Sequence, residues 1–210
     1  MTLKARITTV QDKLQQLAAK DKKMSIFGAG DDKFFGTEGH HYALNSALSE
    51  AEIVKIEKKL GIKFPKDYRE FLKVIGDGGA GPSWGLFKVE RSYPSDDFLK
   101  QYPEFCSMEC PYGDDYANGI KAQMAEDGDY MEKVDAFGGY IKLSDYGHEM
   151  TAILIVSGQQ TGKMWFLNEE DGMEIAPMVQ NIEGRDWQVS FLDWYENWLD
   201  DSWEELNAKK

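Results

Sequence analysis

Ser83 lies in Gly81-Pro82-Ser83-Trp84-Gly85. This matches G-x-S-x-G, which in α/β-hydrolases exposes a nucleophilic serine on a sharp turn between a strand and a helix. His148 follows later, with carboxylates between, so the chain order would allow a triad. The surroundings do not suit one. A helical pattern and four glycines precede Ser83, and a strand-like Leu86 to Val89 follows, leaving no scaffold for the elbow. Asp145, His148 and Glu149 could do acid–base work, but neighbours in a strand face opposite ways, and His148 reads as a surface histidine. The other histidines, His40 and His41, fall in a polar loop. Gly158 to Lys163 is one residue short of a phosphate-binding loop and runs into Met164 where Ser or Thr is needed. Cys106 and Cys110, the only cysteines, read as half-buried thiols rather than half of a zinc site. No catalytic set, metal or cofactor is expected, and a serine hydrolase using Ser83 is the weakest reading.

Charge is the stronger chemical signal. Residues 1–75 carry 14 Lys and Arg against 10 Asp and Glu, whereas 76–210 carry 10 against 27, a net of −17. Such a surface repels phosphate and argues against nucleic acid as a direct partner. It suits a basic protein, whose approach complementary potentials would steer. Residues 91–135 hold 11 acidic and 4 basic residues without an apolar period, and read as an irregular insertion over the core. Its clusters, Asp96-Asp97, Asp114-Asp115 and Glu126-Asp127 with Asp129, are the candidate partner-binding residues. No apolar run approaches the ~20 residues of a membrane span and no signal-peptide pattern opens the chain, so a cytoplasmic location is expected.

The elements that must carry these residues are legible in part. Leu3, Ile7, Val10, Leu14 and Leu17 form a seam on an added N-terminal helix, expected to pack on the rest of the protein rather than form a coiled coil. A polar loop, Gly28 to His41, follows. Ser49 and Glu52 form a capping box, Leu48 and Ile53 have the spacing of a hydrophobic staple, and Gly61 ends the helix they begin. Pro65 opens a second helix with Tyr68, Phe71, Leu72 and Ile75 on its buried face. Beyond the acidic segment, 140–143, 151–156, 163–167 and 173–176 read as antiparallel strands. Ser190 caps a last helix with an aromatic stripe, Phe191, Trp194, Tyr195 and Trp198. The fold class is α+β: an antiparallel sheet, including a strand at 84–89, packed by the capped helical pair and the C-terminal helix, with the extra N-terminal helix. The division expected is 1–45 for that helix and loop and 46–206 for the main domain.

The ordered run LSEAEIVKIEKKLGIKFPKDYREFL, then GDGGAGPSWGLF with Gly79, Gly81, Trp84 and Gly85, then LSDYGHEMTAILIVSGQQTGKMWFL with Gly147 and Trp165, resembles the SUKH superfamily. That superfamily holds the yeast Smi/Knr-type regulator of cell-wall synthesis and many bacterial immunity proteins. The likeness covers roughly residues 46 to 200 and departs at His148, where a small residue or cysteine is the family pattern. It implies a non-enzymatic protein-binding domain, in bacteria one that binds and blocks a cognate toxin, often a nuclease. A regulatory scaffold of the cell-wall type is the alternative it leaves.

Overall fold

The structure, a computed structural model, describes residues 1–32, 36–128, 130–182 and 185–208. Helix α1 (Leu3–Lys20) is capped by the Thr2 hydroxyl and buries Ile7, Val10, Leu14 and Leu17, the predicted seam. Helix α2 (Glu50–Leu60) starts at the predicted box: the Ser49 hydroxyl accepts from the Glu52 amide, and the Glu52 carboxylate accepts from the Ser49 amide at 2.8 Å. Gly61 ends it in the left-handed region, at φ 68°. Helix α3 (Lys66–Val74) follows Pro65 and buries Tyr68, Phe71 and Leu72. A contact that the sequence does not announce locks the pair. Glu57, on the buried side of α2, accepts from the Phe64 amide (3.1 Å), Arg69 Nε (3.0 Å) and Lys63 Nζ (2.7 Å).

The Gly-rich turn is pinned rather than loose. Gly79, at φ 104°, bridges Leu44 on one side and Leu86 on the other, and a Cβ there would stand 2.4 Å from the Ala43 carbonyl oxygen. Ser144 Oγ donates to the Pro82 carbonyl (2.9 Å) and Tyr195 Oη to that of Ala80 (2.8 Å), fastening the turn to sheet and helix. The strand expected at 84–89 does not form. Leu86 makes a single bridge, the Phe87 amide donates to Leu143, and helix α4 (Val89–Ser92) begins at once. The reason is local: Asp77 accepts from the Val89 amide (2.7 Å) and so starts the helix, and the Gly85 turn stops the chain from running on beside the sheet.

The acidic segment is likewise not irregular. It folds into α5 (Asp96–Gln101), capped by Ser95, and α6 (Asp114–Asp127), which buries Ala117 and Ile120. It ends in a short edge strand, β1 (Glu132–Val134). Then β2 (Tyr140–Gly147), β3 (Met150–Ile155), β4 (Met164–Asn168) and β5 (Met173–Pro177) complete a five-stranded antiparallel sheet in the order β1-β5-β4-β3-β2. His148 and Glu149 are not strand neighbours. With φ values of 49° and 58° they form the two-residue turn of the β2–β3 hairpin, a geometry that matches the sheet's twist. A separate hairpin, β6 (Val179–Ile182) with β7 (Arg185–Gln188), precedes α7 (Phe191–Ala208).

The sheet is covered on both faces, which explains the buried apolar run from Ala152 to Ile155 in β3. Ala152 and Leu154 face one core with the buried sides of α1, α2, α3 and α7, where Phe71 stacks edge-on to Phe191 (5.1 Å) and Tyr195 (4.9 Å). Ile153, Ile155, Trp165 and Leu167 face a second core under α6 and the stretch around Phe137. α1 lies against α7 and α3, with Arg6 paired to Asp193 and Glu196, both at 2.6 Å.

Candidate protein interface

The predicted acidic clusters sit at helix ends. Asp114 and Asp115 open α6, while Glu126 and Asp127 close it, about 18 Å away along the axis at 1.5 Å per residue. Asp129 lies outside the described residues. Asp96 and Asp97 open α5. Four of these carboxylates therefore occupy first helical turns, where unsatisfied amides and the helix dipole favour negative charge. Asp114 is engaged further: its amide donates to Gln159 Oε1 (2.9 Å) and its carboxylate accepts from Gln160. Asp115 and Glu126 are exposed.

Asp96 and Asp97 stand apart from the rest because of their neighbours. Lys59 Nζ lies 2.6 Å from Asp96, tying α5 to α2 and holding the Asp96 carboxyl below its ordinary value. Lys100 pairs with Asp97 at 2.7 Å. Immediately after them, Phe98, Tyr102 and Phe105 repeat at helical spacing and form an aromatic ledge. Phe98 packs on Tyr102 (4.9 Å) and on Phe105 (5.3 Å). Phe98 is 38% exposed, Tyr102 50% and Met108 46%. Two hollows of about 590 and 370 Å³ adjoin across this ledge, sharing Phe98, Phe105, Ala136 and Phe137. Glu104 lines the first, and Glu169, paired with Lys142, lines the second. The charge count missed the ledge, although the spacing Phe98, Tyr102, Phe105 behind the Ser95 cap carried the signal.

The residues weighed for catalysis are placed elsewhere. Ser83, at φ 53°, leads into a turn in which the Gly85 amide donates to Pro82, not into a helix, and its buried Oγ has no partner among the described residues. His148 is exposed at the hairpin tip. His40, expected in a polar loop, is instead buried between Tyr42 and Trp198; burial, reinforced by His41, pushes its pKa down to about 4. Cys106 and Cys110 are fully buried rather than half-buried, and burial pushes the Cys106 thiol up to about 11. Among the described residues, no group of three or more His, Cys, Asp or Glu side chains could hold a metal ion, and no helix is long and apolar enough to cross a membrane.

Residues 47–205 match the SMI1 / KNR4 family (SUKH-1). The chain belongs to this family. The match starts just ahead of the Ser49 capping box and ends within α7, so it takes in the helical pair, the Gly-rich turn, the acidic segment and the whole sheet. α1 precedes it and packs on SUKH-1 elements α3 and α7. Membership supports a non-catalytic domain of the SUKH-1 type. No curated protein and no solved structure matches the chain.

Proposed function

We propose that the protein is a non-enzymatic binding domain that neutralises a cognate protein toxin passed between competing cells, and that α5 and its aromatic ledge form the docking face. The observation that carries the reading is the ledge itself. Phe98, Tyr102 and Met108 are exposed side by side, next to Asp96 and Asp97, in a family of non-catalytic domains. Exposed apolar surface edged by charge is the composition of a protein interface, with rings as anchors and carboxylates for steering and register. The sign of the charge supports a basic partner. A nuclease fits, since its site binds phosphate and carboxylates can occupy the same cations. Asp114, Asp115, Glu126 and Asp127 add to the field at longer range and are not needed in contact.

The test is co-expression with the protein encoded beside this chain. Rescue of growth together with co-purification supports the reading; a neighbour that stays toxic and does not co-purify goes against it.

A further inference from the structure

A third hollow, of about 460 Å³, shares no lining residue with the two at the ledge. Five rings line it: Phe27, Tyr146, Phe166, Trp194 and Trp198. Four of them, all but Phe27, are held in place. Trp194 Nε1 donates to Tyr146 Oη (3.2 Å), Phe166 sits edge-on to Tyr146 (5.2 Å), and Trp198 is wedged against Tyr195 (5.2 Å) and His40 (5.7 Å). Asp201 and Glu205 also line the hollow, and no Lys, Arg or His does among the described residues. The Asp201 carboxylate makes no hydrogen bond or ion pair among those residues, and its partial burial beside the carboxylates of Glu204 and Asp200 raises its pKa. Ser83 lines the hollow too. It is 9% exposed, and its Oγ is buried without a partner among the described residues.

Fixed aromatic faces attract cations through their quadrupoles, an uncompensated carboxylate adds a directed charge, and a few hundred Å³ suits a small ligand. We propose that this hollow binds a small organic ammonium ion carried on an aromatic or branched apolar body. The rings would take the body and the faces of the ammonium group, and Asp201 would take its charge. This is independent of the toxin reading, because it concerns other residues and is measured without a partner.

Phenethylammonium chloride is titrated into the full chain, with 2-phenylethanol and 3-phenylpropionate as neutral and anionic analogues of similar shape. Binding is read by calorimetry and tryptophan emission. The expected result is saturable binding of the ammonium ion, about fivefold or more tighter than the alcohol, as one unit charge near 4 Å in a water-like medium would give, and no binding of the anion. Asp201→Asn, at a position exposed and unpaired among the described residues, should erase most of that preference while leaving the melting temperature unchanged. Equal affinity for ammonium ion and alcohol, absence of saturable binding, or an unaltered preference in Asp201→Asn would overturn the proposal. So would a lysine-containing peptide binding more tightly than the free amine, since the occupant would then be a partner's side chain.

Discussion

Glu57→Ala is the most informative perturbation of the fold. The Glu57 side chain is 1% exposed and serves three donors from two directions, so its loss unties α2 from α3 and leaves the buried Phe64 amide without an acceptor. The other partners are released less harshly. Lys63 is already 75% exposed, and Arg69 keeps its pairing with Glu50. The cost is therefore below that of stranding a wholly buried charge. An orphaned buried amide is worth about 1–3 kcal/mol and a lost charged hydrogen bond about 1.5–3, giving a loss of roughly 3 kcal/mol at pH 7. That corresponds to about 6–12 °C in a chain of this size. Burial opposes ionisation of Glu57, but the hydrogen bonds from Lys63, Arg69 and Phe64 outweigh it and hold the carboxyl below its ordinary value. A folded-state pKa below the unfolded one adds stability above about pH 4.5 that disappears as pH falls through the folded value. Glu57→Gln should keep the shape and remove that part of the acid slope. Urea melts followed by circular dichroism from pH 7 to pH 3 provide the assay. A Glu57→Ala variant within ~0.5 kcal/mol of the parent at pH 7 would refute the reasoning.

Other consequences can be measured alongside. Phe71→Ala removes a ring with no exposed surface and should cost about 3–5 kcal/mol, against ~0.5–2 for the Ser49→Ala cap, as ranked by denaturant melts. Burial lowers the His40 pKa to about 4, so protonation favours the unfolded chain and stability should fall with pH from about 6.5 down toward 4; His40→Phe should flatten that part of the curve. Ser83→Ala should show the same absence of ester turnover as the parent, and a turnover that disappears in the variant would contradict a non-catalytic domain. Asp96→Lys with Asp97→Lys should slow association with the toxin, most at low salt, while Glu204→Lys with Glu205→Lys should have a smaller effect, both read by stopped-flow at two ionic strengths.

What could be read in advance was local. The Ser49 box, the Gly61 end, the α1 seam and the Ser190 cap each depend on residues within one turn, and all are present; Asp193 completes the last by accepting from the Ser190 amide at 2.9 Å. The misses depend on distant partners or on weak periods. β1 is three residues, two of them charged, and exists because β5 offers an edge. α6 shows only Ala117 and Ile120 as buried anchors among polar residues, too few to stand out as a stripe. Glu57 lies in a Lys- and Glu-rich helix and reads as solvated until Arg69 and Phe64 are brought to it. The candidate face was legible by half. Its carboxylates showed as a charge excess, but their grouping is set by helix ends, and the exposure of Phe98, Tyr102 and Met108 depends on how α5 and Phe105 sit over Phe137 and Tyr140.

The most direct test of the account is the affinity of the purified chain for the protein encoded beside it, measured for the parent and for Tyr102→Ala and Met108→Ala. Both side chains are about half exposed, so each variant should fold as the parent does. The account predicts a stable complex that either substitution weakens by about tenfold, mainly through faster dissociation, with matching loss of protection in co-expressing cells. A complex of parental affinity in both variants would move the interface away from α5, and the absence of any complex would contradict the binding function itself.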